Sequence, residues 1–169
     1  MPKLLNCRNA LLICLTINAF AATQPDFSGS YSAKQRSHSK SPAEPLVLLV
    51  LQSGSAVEVT RINGNKSTTN HFPLDGSEGD YVTETGVRGR CKAYIKKDTL
   101  VLESLVASSA RAGEPSIRFR TIEQWQLSAD RNTLTIKTEI KSPDMPAEIM
   151  AAAFPNNPGK EQYERTHKP

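Results

Sequence analysis

Residues 116–141, SIRFRTIEQWQLSADRNTLTIKTEIK, decide the fold. In the first half Ile117, Phe119, Thr121, Trp125 and Leu127 fall on one face, and Arg118, Arg120, Gln124 and Gln126 on the other. After the turn Ala129-Asp130-Arg131-Asn132 the second half repeats the pattern more cleanly. Leu134, Ile136, Thr138 and Ile140 point one way, and Thr135, Lys137, Glu139 and Lys141 the other. A period of two is that of a strand with one face on a core and one on water.

The same period extends towards the N-terminus. Thr99 to Ala107 sets Leu100 and Leu102 against Val101 and Leu105; before it come Arg90 to Lys96, Asp80 to Thr85, Lys66 to Leu74 and Ala56 to Ile62. Asn63-Gly64 predicts a type I′ hairpin turn, because both residues tolerate positive φ. Leu46 to Gln52, LVLLVLQ, suits either a strand covered on both faces or one lining a barrel wall. Phe27 to Ala33 is the first strand and Glu161 to His167 the last. Such strands, recurring with short polar turns, predict an all-β, antiparallel, up-and-down barrel of about eight to ten strands.

One segment breaks the rhythm. Ser142 to Phe154 carries Asp144 as an N-cap, Pro146 near the first turn, and Ile149, Met150, Ala153 and Phe154 at helical spacing. It predicts one short helix near the C-terminus, either packed on the barrel's end or forming a lid over a cavity.

Residues 1–21 read as an export signal: Lys3 and Arg8 form a basic start, Ala10 to Phe20 an apolar stretch, and Ala19-Phe20-Ala21 a cleavage pattern. The apolar run is too short for a spanning helix, so no transmembrane segment is expected after cleavage. Residues 22–169 then form one domain. Losing Lys3 and Arg8 lowers the net charge from +4 to +2, which argues against nucleic acid as a partner. Cys7 and Cys14 leave with the leader, so Cys91 remains as the single thiol and stability must come from packing. Cys91 is either a small apolar residue on a strand or a reactive or intermolecular thiol.

Signatures of chemistry are sparse. His38, His71 and His167 have no metal-like spacing, and no metal or other cofactor is expected. Ser37-His38-Ser39-Lys40 matches a bare Ser-x-x-Lys pattern, but in a polar loop and without companion motifs. The carboxylates of Asp75 to Asp80 read as an acidic turn sooner than a calcium loop. Arg88, Arg90 and Lys92 alternate on one strand, as do Arg118 and Arg120 on another. They form either a basic stripe for an anionic head group or a solvated outer face.

Three motifs carry a family resemblance. Pro25-Asp26-Phe27-Ser28-Gly29-Ser30-Tyr31, directly after the leader, resembles the opening strand of small exported bacterial proteins with a lipocalin-like, calycin-type β-barrel. In those proteins the segment reads Asp-Phe-Ser-Gly-Thr-Trp, and Tyr31 stands in the place of the Trp. Glu123 to Ile136 looks like the family's late hairpin, and Gln162-Tyr163-Glu164-Arg165 is similar to its closing Val-Tyr-Glu-basic pattern. The resemblance implies a lipocalin-like barrel whose interior holds a small apolar molecule, with Tyr31 and Trp125 plugging the barrel base.

Alternation places Leu48, Val50, Val57, Val59, Leu100, Leu102, Phe119, Leu134 and Ile136 inside, as candidate ligand-binding residues. The leading expectation is an exported, periplasmic or secreted, non-enzymatic protein that binds a small hydrophobic or amphipathic ligand. A second is a solid barrel acting through its surface, as an envelope protein-interaction module or an inhibitor of a secreted enzyme. A third, an enzyme with a dispersed site, requires at least two of His71, Asp80, Glu84, Glu103 and Glu123 to meet in a cleft.

Overall fold

A computed structural model describes residues 24–34, 46–109 and 115–167. The leader and the Ser37–Lys40 motif lie outside these residues. Ten strands and one helix follow in order: β1 (Gly29–Ala33), β2 (Val47–Gln52), β3 (Ala56–Asn63), β4 (Lys66–Pro73), β5 (Gly79–Val82), β6 (Arg88–Lys96), β7 (Thr99–Ser108), β8 (Ile117–Leu127), β9 (Thr133–Lys141), α1 (Ala147–Ala153) and β10 (Gly159–His167). All strand pairs are antiparallel, in the order β4-β3-β2-β1-β10-β9-β8-β7-β6-β5. β1 and β10, the first and last strands, lie side by side, and the sheet curls into a nearly closed all-β barrel.

The one seam lies between β4 and β5, which are not ladder partners. Side chains bridge it. Asn70, on β4, donates from Nδ2 to the Val82 carbonyl (3.0 Å) and accepts the Val82 N–H at Oδ1 (2.8 Å). One amide thus replaces a strand's worth of pairing for that residue. The Cys91 Sγ sits within 3.3 Å of the His71 carbonyl and 3.4 Å of the Asp80 carbonyl, so the thiol fills the same seam from β6.

Strand direction gives the barrel two unlike ends. At the lower end lie the short turns at residues 53–55, 74–78, 97–98 and 128–132, together with the entering segment 24–28. The Gln52 side chain clamps that segment, accepting the Phe27 N–H and donating to the Pro25 carbonyl, both at 2.9 Å. At the upper end lie the two-residue β3–β4 loop, the 83–87 connection and the long connection that contains α1.

Local details depart from expectation in two places, the β3–β4 turn and the start of α1, while β2 takes the barrel-wall alternative. Asn63 pairs with Lys66, so the β3–β4 loop is Gly64-Asn65, and only Gly64 has positive φ (58°). That is the pattern of a type II′ turn, not type I′. β2 is covered on its inner face alone: Leu48 and Val50 are buried while Leu49 and Leu51 face outward and are exposed. Asp144 does not cap α1, whose N-cap is Pro146 without a side-chain bond. Asp144 instead accepts from the Arg118 backbone N–H, Nε and Nη2 at 2.9, 2.9 and 2.7 Å. A bidentate guanidinium outcompetes a single helix N–H for a carboxylate.

Candidate functional site

Eight of the nine residues that alternation places inside, Leu48, Val50, Val57, Val59, Leu100, Leu102, Leu134 and Ile136, are buried together in one cluster with Phe27, Phe72 and Ala93. The ninth, Phe119, lies near the mouth, half-buried, with its ring edge-on to Phe154 just after α1, at a centroid distance of 6.0 Å.

Tyr31 and Trp125 have no exposed surface. The Tyr31 hydroxyl donates to the Phe27 carbonyl (2.8 Å) and accepts from Arg165 Nη2 (2.6 Å), whose guanidinium lies 5.1 Å from the ring centroid. The phenol is held by a carbonyl below and a cation–π contact above. Burial pushes its pKa up, against the pull of Arg165. Cys91 is also buried, and burial lifts its thiol to about 11, so it is uncharged at neutral pH and packs as a small apolar group.

Above this dry layer the lumen turns polar. Glu123, on the inward face of β8 beside Trp125, accepts the indole N–H at Oε2 (2.9 Å). Arg61, on the inward face of β3, reaches across with Nη2 to both Glu123 oxygens, at 2.8 and 2.7 Å. Burial opposes the Arg61 charge, but Glu123 together with Tyr81, Tyr163 and Glu84 outweighs it and the guanidinium pKa is raised. Arg61 Nη1 is buried and has no hydrogen-bond partner in the protein. The Tyr163 hydroxyl donates to Glu161 Oε2 (2.7 Å), and burial together with that carboxylate pushes its pKa far up.

Alternation passes over Arg61 and Glu123 when it collects apolar inward positions. The signal was there: each is a charge at period two with buried apolar residues, Arg61 after Val57 and Val59, Glu123 before Trp125. A charge on the core face of a strand needs a partner, and here the two are each other's.

Higher still, the inward residues Thr68, Ser104, Val106, Thr121, Thr138 and Ile140 are only half-buried, and Glu161 is exposed. The mouth contains a cleft of about 260 Å³ between the chain after α1 and the inner side of β9 and β10, lined by Thr138, Ile140, Phe154 and Asn157. Asn157 fixes that side by exchanging two bonds with the Ile140 backbone, at 2.8 and 2.7 Å.

The basic residues of β6 and β8 share the outer side but are not neighbours, since β7 runs between them. Its outward Glu103 takes a short bond from Arg120 (2.5 Å), one from the Tyr94 hydroxyl (3.1 Å), and lies 3.7 Å from Lys92. Glu103 and Glu123 thus sit on opposite sides of the barrel wall, while His71 pairs with Glu58 and Asp80 with Arg90. Among the described residues no three His, Cys, Asp or Glu side chains gather as a metal site would require, and no helix is long and apolar enough to cross a membrane.

A ten-stranded antiparallel barrel with these features has a calycin-type fold. A fatty acid transporter, REP1-NXSQ, superposes with a TM-score of 0.54 at 12% identity, covering 85% of this chain and 98% of its own. Fatty-acid-binding protein 1 of Echinococcus granulosus gives 0.53 at 12%, covering 83% and 98%. The zebrafish ileal bile acid-binding protein, complexed with cholic acid, gives 0.51 at 14%, covering 83% and 98%. No family model and no curated protein matches the sequence.

Proposed function

We propose that this chain is an exported, lipocalin-like binding protein, periplasmic or secreted, that takes one small hydrophobic or amphipathic molecule in the upper half of its barrel and performs no chemistry on it. The observation that carries this reading is the unpartnered Arg61 Nη1 beneath a half-buried, partly apolar mouth. A buried N–H without an acceptor is costly, and a ligand oxygen placed there relieves the cost. Glu123 already neutralises Arg61, so a neutral head with a hydrogen-bond acceptor suits the remaining N–H better than a carboxylate. The similarity to a fatty acid transporter, a fatty-acid-binding protein and a bile acid-binding protein supports a hydrophobic cargo through fold alone.

The test uses the single tryptophan. Its indole N–H, bonded to Glu123, gives one NMR resonance next to the expected ligand head. Decan-1-ol should shift it saturably. Thr121→Phe, which fills the lumen above Glu123, should abolish the shift, and Arg61→Lys, which keeps the charge but loses the second nitrogen, should weaken binding about three- to tenfold. An indole resonance indifferent to decan-1-ol in the folded protein would contradict the reading.

A second reading, a surface-acting module with an envelope protein partner, is favoured by the outward pair Leu49 and Leu51 on β2, 40% and 59% exposed.

A further inference from the structure

α1 is built as an arch. One foot is the Asp144–Arg118 ion pair and the other is Asn157 on the Ile140 backbone. Between the feet the helix makes little contact with the wall: none of its residues is buried, and Ile149 is 53% exposed. A cleft of about 730 Å³ lies between it and the upper ends of β7, β8 and β9. That is the size of a small-molecule site.

The lining of this cleft is chemically one-sided. Its apolar wall comes chiefly from Met145, Met150, Phe154 and Ile140, and methionine suits a surface that adapts to a ligand's shape. Every charged residue in the lining is a cation: Arg118, Arg120 and Lys141. Their acidic partners, Asp144, Glu103 and Glu139, are not part of the lining. Arg120 and Lys141 keep roughly half of their side-chain surface exposed and have donors to spare beyond those bonds.

We infer that the space beneath the α1 arch is a second binding site, for an amphipathic organic anion whose apolar body lies on the two methionines and Phe154 and whose negative group meets Arg120 and Lys141. It adjoins the mouth of the lumen, sharing Ile140, Phe154 and Asn157 as a common wall, but its charges are Arg118, Arg120 and Lys141, whereas the lumen's Arg61 is already held by Glu123. The two sites therefore differ in the head group they accept: anionic under the arch, neutral in the barrel.

The chain supplies separate reporters. Apart from Met1, which lies outside the described residues, its only methionines are Met145 and Met150, both in the cleft, and its only tryptophan is Trp125, in the lumen. Full-length protein labelled with [methyl-¹³C]methionine is titrated with decanoate and, separately, with decan-1-ol, below their aggregation limits. Decanoate should shift the Met145 and Met150 methyls saturably, at concentrations where decan-1-ol leaves them in place. Lys141→Gln should weaken the decanoate effect about three- to fivefold, the scale of one exposed charge pair. Ala151→Phe, which fills the cleft from the exposed side of the helix, should remove it.

Methyls that ignore decanoate, or that answer decanoate and decan-1-ol alike, overturn the inference. A Trp125 shift with silent methyls would leave the luminal reading standing and this one refuted. Methyl shifts with a silent indole would do the reverse.

Discussion

The lower and upper halves of the barrel are made from the same strands, yet their inward faces obey different rules. Below, Phe27, Tyr31, Val57, Leu100, Trp125 and Leu134 are fully buried, and most polar atoms are paired, the Tyr31 hydroxyl twice and the Trp125 indole once, while Arg165 Nε lies unpartnered against the Tyr31 ring, where no space for a guest exists. Above, the inward positions shift to Thr, Ser and single apolar residues that remain half-exposed, and the connection before β10 forms the arch of α1. The boundary is the Arg61–Glu123 pair. An ion pair across a lumen is poor glue, since desolvation offsets most of its attraction. Its position, with one nitrogen left over, is what a polar floor for a guest would look like.

Substitutions in the two halves should therefore differ in kind. The largest effect belongs below: Trp125→Ala should cost about 3–5 kcal/mol in equilibrium unfolding, because it opens a cavity among residues that cannot collapse. Phe119→Ala, of the same chemical type but at the mouth, should cost well under half of that and should alter ligand binding instead. Equal losses at the two positions would erase the distinction between the halves.

Next comes the seam. Asn70→Ala strips the Val82 N–H and carbonyl of partners at once and should cost about 2–3 kcal/mol. Amide exchange should rise in β4 and β5 while the β7–β8–β9 wall stays protected. Tyr31→Phe should cost about 1–2 kcal/mol, since it leaves Arg165 Nη2 without its acceptor in a part-buried position.

Two pH effects sharpen the contrast between buried and exposed groups. The Cys91 thiol is lifted from 9.0 to about 11 by burial, so the native state resists its ionisation. Its contribution is complete below pH 9 and is lost as pH rises through about 11. Cys91→Ala should flatten the stability profile in that window, and wild-type Cys91 should stay silent to a thiol reagent at pH 8 until the barrel unfolds. The Asp144 carboxyl moves the other way, from 3.8 to about 2, chiefly through its bonds to Arg118. The arch's charged foot is thus fully held above pH 4 and released as pH falls through about 2. The Met145 and Met150 methyls should report that release.

The strands were legible because nearly every inward position in the lower barrel is apolar and every turn polar, so a period of two survives along the chain. Ten strands and one late helix follow from that pattern, and the inward positions from Leu48 to Ile136 with them. What stayed hidden was long-range. The Asn70 bridge carries no local signature, because an asparagine that completes a sheet looks like any polar residue on a strand. Asp144 reads as a helix cap until Arg118, 26 residues earlier, is brought beside it by the β8–β9 hairpin. Arg61 and Glu123 were visible as charges on apolar faces, but 62 residues separate them, and only the closed barrel makes them a pair.

The most direct test of a barrel that is dry below and receptive above is the Trp125 indole N–H resonance followed through a decan-1-ol titration of the folded protein. A saturable shift, lost in Thr121→Phe with the unfolding free energy unchanged, is the predicted result. A resonance that stays fixed, or that moves equally in the plugged variant, would mean that nothing enters the lumen above Glu123.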